Sequence, residues 1–338
     1  MTVSTTPAPH TASASPAASP TGASADMPVA PPLGLRVAGL AFRNPLVLAS
    51  GTAGFGVEID DVVDLDAVGG LSTKAVSVSP RAGNPPLRVS EFAGGMINAI
   101  GLANPGLDAV RTQYLPWMPA HHPGTRVLVN VVGNSIDDFA TIVAALTNEA
   151  GVDGFELNVS CPNVKAGGLE FGADPEALAA LVRGARAATD RPIFVKLSPT
   201  LGAGIADTAR VAVDNGATGL TLVNTMPGLV VDTARRRPRI SFGSGGISGP
   251  ALLPIGVLAT WRVSRALPNV PLIGLGGVST ADDALQYLLA GASLVGVGTA
   301  ALRNPRAPER IARDLRRWAE REGVRDLRSI IGTLTWPS

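Results

Sequence analysis

From residue 35 onward the chain alternates two patterns. Short, mostly apolar runs rich in β-branched residues occupy 45–50, 70–76, 126–132, 155–160, 192–197, 219–224, 271–276 and 294–298. Each is apolar on both faces, as expected of parallel strands covered by helices. Amphipathic stretches lie between them. The pattern predicts helices over 136–150, from 174–175 through 185, and over 203–215, 250–265, 280–290 and 308–322, with shorter ones at 61–67 and 107–117. Start signals are Ser135 followed by Asp137 and Asp138, and Asp174-Pro175; stop signals are Gly216, Gly291 and Gly323. Eight strand–helix units predict an α/β (β/α)8 barrel. A doubly wound open sheet would need a switch point and usually has fewer strands. The alternating pair 35–38 and 40–42 around Gly39 predicts a hairpin entering from the N-terminal side of the barrel.

Three connections exceed the usual βα length of about two to six residues: 77–106, 161–173 and 225–248. All follow strands, so these long loops belong to the C-terminal face, where barrel active sites are built. The strand ends there carry Ser50, Lys74, Asn130, Asn158, Lys196 and Asn224-Thr225. Polar groups buried at a barrel rim cost a few kcal/mol each unless partnered, and a polar ligand is the simplest partner. Lys74 and Lys196 are two of only three lysines; the third, Lys165, falls in a Gly-rich loop where exposure is expected.

Composition narrows the chemistry. With Lys+Arg 28 against Asp+Glu 27, a net charge of +1 disfavours nucleic-acid binding through bulk charge. The single cysteine, Cys161, excludes an internal disulfide and a cysteine-ligated cluster held by this chain alone. His10, His121 and His122 are too few for a histidine metal site, and 121–122 read as solvated loop residues. Arg235, Arg236, Arg237 and Arg239 read as a solvated run, with a docking patch for an acidic partner as the alternative. Residues 1–32, rich in Ala, Ser, Thr and Pro with no Arg or Lys before Arg36, read as a disordered extension. They lack the features of a secretory or mitochondrial leader, so a cytoplasmic location is expected. No apolar run of 18 residues predicts a membrane span. Residues 33–338 are expected to form a single catalytic barrel domain.

Gly274-Leu275-Gly276-Gly277 and Gly296-Val297-Gly298-Thr299 close strands seven and eight, where such barrels often bind phosphate through backbone N–H groups. The second segment, continued by Ala300-Ala301, matches a dinucleotide fingerprint by letter, but no further strand or strand-end acid follows it. It is not read as a nicotinamide site.

A planar phosphorylated ligand held by lysines, asparagines and glycines suggests FMN. Asn158-Val159-Ser160-Cys161-Pro162-Asn163-Val164 makes this specific, together with Ala49-Ser50-Gly51-Thr52, Thr73-Lys74-Ala75-Val76, Gly83-Asn84-Pro85-Pro86, Asn98-Ala99-Ile100-Gly101-Leu102-Ala103-Asn104, Asn224-Thr225 and Ser248-Gly249-Pro250. Over residues 35–333 the chain resembles the dihydroorotate dehydrogenase family, enzymes of pyrimidine biosynthesis that oxidise dihydroorotate to orotate. The resemblance implies FMN across the barrel mouth, held by Ser50, Lys74, Ala75, Asn130, Asn158, Lys196, Val223, Gly249, Gly276, Gly277, Gly298 and Thr299. It implies substrate contacts from Lys74, Asn98, Ala99, Ile100, Gly101, Leu102, Asn158, Asn163, Asn224 and Thr225. Cys161 would be the base that removes the C5 proton, and Gly167, Gly168 and Gly172 would let its loop open and close.

Cysteine in that place, rather than serine, resembles class 1 of the family. Asn163-Val164-Lys165 with Gly167-Gly168 and Phe171-Gly172 resembles class 1B. That class implies a homodimer of this chain joined, as a heterotetramer, to an electron-transfer subunit carrying FAD and a [2Fe–2S] cluster that reduces NAD+. Competing readings are the fumarate-using class 1A, another flavin-dependent pyrimidine oxidoreductase, a barrel lyase with a Schiff-base lysine, and a non-enzymatic phospholigand-binding barrel.

Overall fold

A computed structural model describes residues 30–160, 162–163 and 169–337. Eight parallel strands close a barrel in sequence order: β1 (Leu46–Leu48), β2 (Gly70–Ser72), β3 (Arg126–Val131), β4 (Gly154–Asn158), β5 (Ile193–Leu197), β6 (Gly219–Leu222), β7 (Leu272–Leu275) and β8 (Leu294–Val297). Val295, Gly296 and Val297 of β8 pair with Leu46, Val47 and Leu48 of β1 and shut the ring. Every residue of these strands is buried, which is why they read as continuous apolar runs. The fold is a (β/α)8 barrel.

The helices after β3 are α1 (Ile136–Leu146), α2 (Pro175–Ala187), α3 (Ile205–Asp214), α4 (Leu253–Ala266), α5 (Ala281–Leu289), α6 (Thr299–Arg303) and α7 (Ala307–Arg321). Capping boxes start α1 at Ser135 with Asp138 and α5 at Thr280 with Asp283; Asp174 caps α2 through the N–H groups of Glu176 and Ala177. Each such cap is worth about 1 kcal/mol. α1 buries Phe139, Ile142, Val143 and Leu146, one face at helical spacing.

Strand periodicity then layers the barrel interior. β2, β4 and β6 open on glycine. A Cβ on Gly219 would lie 2.5 Å from the Phe194 ring, and one on Gly154 would lie 3.0 Å from Leu128. The missing side chains leave room for Leu128 and Phe194, which fill the bottom with Phe42, Val47, Ile273 and Leu294. Phe42 comes from the expected hairpin, whose strands Leu35–Val37 and Leu40–Phe42 pair antiparallel. Buried Arg126 ties the hairpin down, donating to the Ala41 carbonyl at 2.8 Å while facing Asp153 at 3.2 Å. Two residues further up β2, β3, β4, β5 and β6, on the same face, the interior turns polar at Ser72, Asn130, Glu156, Lys196 and Thr221.

Three sequence expectations differ from the structure. Of 61–67, only Leu65–Ala67 is helical, a single 3-10 turn, because the Asp64 carboxylate accepts the Asp66 N–H and competes with a longer helix. The stretch 107–117 is a turn at Leu107–Ala109, a wide five-residue turn at Val110–Tyr114 and a separate helix Trp117–His121, divided at Pro116. His122 is only partly exposed: its ring lies between Asp60 at 2.8 Å and Asp66 at 3.1 Å, whereas His121 is exposed and stacks on Trp117. The long connections, expected to be more than plain βα loops, carry strands of their own. Segments of two of them, Met226–Gly228, Gly245–Ser248, Gly95–Asn98 and Val89–Phe92, form one four-stranded antiparallel sheet in that order. Beyond it Val231–Asp232 pairs with Arg237–Pro238, carrying the exposed arginine run at its tip. In the third connection Pro162–Asn163 pairs with Leu169–Glu170. No helix among the described residues is long and apolar enough to cross a membrane.

Candidate active site

The C-terminal strand ends and the four-stranded sheet enclose a cavity of about 710 Å³. Ser50, Lys74, Ala75, Asn158, Lys196, Val223, Gly249, Gly276, Gly277, Gly298 and Thr299 all line it, as do Asn98, Ile100, Leu102, Asn224 and Thr225. Ser50 and Thr299, 249 positions apart in the chain, thus share one wall because the barrel brings every strand end to one rim. Asn130 does not line the cavity. It is fully buried one step behind, on β3, and donates from Nδ2 to Glu156 at 2.7 Å. Ala99 and Gly101 also sit off the wall: Ala99 N–H donates to the Arg88 carbonyl at 2.8 Å, and Gly101 packs on Asn84. Cys161, Lys165, Gly167 and Gly168 lie outside the described residues, and Asn163 is described by its backbone pairing to Leu169.

The polar wall is braced. Asn224 donates from Nδ2 to Asn158 Oδ1 at 3.3 Å and accepts the Thr225 N–H at 2.8 Å, so neither amide is free to turn. Asn98 donates to the Gly246 carbonyl at 3.2 Å, joining the segments from two loops. Lys196 is 4% exposed, with Nζ 3.9 Å from Glu156. Among the described residues no carboxylate lies within 4 Å of Lys74, which leaves a cationic wall for an anionic ligand.

The opposite rim is backbone. Gly276 and Gly277 after β7 hold φ of 130° and 76°, and a Cβ on Gly277 would lie 2.6 Å from the Leu253 nitrogen. Gly249 at φ 96° passes so close to Gly95 that a Cβ would approach it to 2.8 Å. Only glycine allows both approaches. Thr299 donates to Ser248 Oγ at 2.7 Å and links the β8 end to the sheet over the mouth. Residues 33–318 match the dihydroorotate dehydrogenase family model.

The chain belongs to the dihydroorotate dehydrogenase family. Among curated members, it is 46% identical over 304 residues to a putative dihydroorotate dehydrogenase A (fumarate) of Solibacter usitatus (strain Ellin6076), covering 90% of this chain and 99% of that protein. It is 43% identical over 304 residues to a dihydroorotate dehydrogenase B (NAD(+)), catalytic subunit, of Geobacter sp. (strain M21), covering 90% and 98%. A protein of the same description from Desulforudis audaxviator (strain MP104C) is 44% identical over 296 residues, covering 88% and 95%.

Three residues in or behind the wall of this dehydrogenase-family cavity escaped sequence reasoning. Ser248 stood only within a motif. Tyr287, on α5, donates to the Gly276 carbonyl at 2.8 Å from behind the glycine rim and carries no signal in its apolar helix face. Glu156 did carry one: a lone acid in Gly154-Phe155-Glu156-Leu157-Asn158, at even spacing from Asn158 and therefore on its inward face.

Proposed function

We propose that this chain oxidises dihydroorotate to orotate for pyrimidine biosynthesis, using FMN held across the barrel mouth. The observation that carries this reading is the convergence of strand-end lysines and asparagines with the glycine rim on one cavity, in a chain of this family. The donor set fits the cofactor. Asn130 stands behind this wall, fully buried, with Oδ1 unpartnered among the described residues. Gly276, Gly277, Gly298 and Thr299 supply a small-residue rim for a phosphate, next to Ser248 and Gly249. Lys196 supplies a cation to the ring, with Ser50, Ala75, Asn158 and Val223 around it. When bound, FMN supplies the two-electron acceptor for the hydride that leaves the substrate C6.

The remaining roles fall to the protein. Lys74 attracts the substrate carboxylate, helped by the segment 98–102. Asn98, Asn158, Asn163 and Asn224 each offer donor and acceptor on one short side chain, which suits the alternating C=O and N–H groups of a dihydropyrimidine. Thr225 adds a hydroxyl. The sheet over the mouth excludes water. Cys161, on the loop after β4, takes the C5 proton on its sulfur. A thiol with an ordinary pKa of about 8.5 does this as thiolate, so turnover rises with pH through that region.

Electrons then pass to NAD+ through a partner carrying FAD and a [2Fe–2S] cluster, with this chain as the homodimeric centre of a cytoplasmic heterotetramer. The relatives described as NAD(+) catalytic subunits, at 42–44% identity, support that reading. The 46% identity to a relative described as fumarate-dependent supports a second one, in which the chain acts without a partner.

The test is the purified full chain. A yellow preparation that reduces a dye with dihydroorotate is expected, and a colourless protein inert to dihydroorotate overturns the proposal. Cys161→Ala is expected to bind FMN and orotate yet reduce the flavin much more slowly. Fumarate-driven turnover by the chain alone would select the second reading.

A further inference from the structure

Behind the cavity wall lies a buried carboxylate that the proposed reaction does not use. Glu156, 2% exposed, accepts hydrogen bonds from Ser72 Oγ of β2 at 2.7 Å, Asn130 Nδ2 of β3 at 2.7 Å and Thr221 Oγ1 of β6 at 2.8 Å. Lys196 Nζ of β5 stands 3.9 Å from the oxygen that serves Ser72 and Asn130. One side chain therefore gathers polar groups from four other strands. An apolar residue could fill this volume without desolvating a charge, so packing alone does not explain a glutamate here.

A carboxylate only accepts. Facing it, Asn130 turns its N–H2 inward and leaves Oδ1 as an acceptor, the same buried oxygen that has no partner among the described residues. Asn158 has the opposite sense, since its Oδ1 is taken by Asn224 and its N–H2 remains as donor. Lys196 is a donor only. Asn158 and Lys196 both line the cavity, and their donors complement the carbonyls on the pyrimidine edge of an oxidised flavin. The same carboxylate makes the Lys196 ammonium half of a neutral pair, which moderates the positive potential at the ring.

We propose that Glu156 is a positioning residue for the flavin: from behind the cavity wall, braced by Asn130, it holds and balances the Lys196 ammonium that lines the cavity. This rests on the FMN reading above. The wild-type chain is examined first, by FMN titration of the apoprotein; no binding there sinks both readings before any variant is made.

The near-isosteric Glu156→Gln keeps the volume and removes the charge. Its amide offers N–H2 to Asn130, which is then free to turn. FMN is expected to bind at least tenfold more weakly. The midpoint potential of the FMN that does bind is expected to rise by about 30 mV, the equivalent of tenfold for a two-electron couple, because an unbalanced ammonium favours the more negative reduced ring. Glu156→Asp keeps the charge but withdraws the carboxylate by one methylene; it is expected to weaken FMN binding with the potential near wild type. If the glutamine variant does not fold, the aspartate variant decides on affinity. A folded variant that melts earlier as apoprotein, yet binds FMN within threefold of wild type at an unchanged potential, makes Glu156 mere packing and overturns the proposal.

Discussion

The Tyr287 hydroxyl donates to the Gly276 carbonyl at 2.8 Å from inside the protein, on the far side of the peptide that meets the cavity. The ring occupies space left by Gly256 and Gly274, where a Cβ would approach Tyr287 to 2.0 and 2.3 Å. A fully buried phenol on α5 thus braces the glycine rim to which the phosphate is assigned.

Tyr287→Phe removes this brace and leaves the Gly276 carbonyl unpartnered by the ring. A hydrogen bond of this kind is worth about 1 kcal/mol, so FMN should bind roughly fivefold more weakly. Apoprotein titration followed by flavin fluorescence measures it, and unchanged affinity would show that the rim needs no support from α5.

Tyr287 also predicts a pH effect. Burial, with the Asp283 charge adding to it, pushes the phenol far above the ordinary tyrosine range. Above pH of about 10 the unfolded chain loses the phenolic proton while the folded chain keeps it. Unfolding is then favoured, so the contribution is intact below that pH and shrinks as pH rises. Denaturant unfolding at pH 8 and 11 should show a smaller loss of stability in Tyr287→Phe than in wild type. Equal losses would contradict this.

At the other end of the barrel, Phe194→Ala should destabilise the fold by about 3–5 kcal/mol. The ring is fully buried against the bare backbone of Gly219, and its neighbours Phe42, Leu128 and Ile273 come from rigid strands and a tethered hairpin that collapse poorly into a void. Chemical denaturation monitored by far-UV circular dichroism tests it; a cost below about 1 kcal/mol would show that the bottom layer repacks.

Asn224→Ala is predicted to separate substrate from cofactor. It removes the donor to Asn158 and the acceptor for the Thr225 N–H without touching the glycine rim. Orotate, titrated by its perturbation of the flavin spectrum, should bind at least tenfold more weakly while FMN content stays normal. Loss of FMN with orotate affinity retained would reverse the assignment.

Much of this protein was legible from local pattern. All eight strands, the major helices, the bottom hairpin and the face bearing the site follow from apolar runs, caps and glycine stops, because strand and helix preferences act over a few residues. Strand ends such as Lys74, Asn158 and Lys196 could be placed on one cavity, since a closed barrel brings every C-terminal end to a single rim. Sequence did not say which inward side chains meet. Glu156 collects partners from β2, β3, β5 and β6, Asn130 stands one layer behind the wall, and Thr299 reaches Ser248 of the mouth sheet. Those pairings depend on barrel stagger and on sheet strands contributed by loops more than 100 residues apart. Only closing the chain in three dimensions brings such groups within hydrogen-bonding distance.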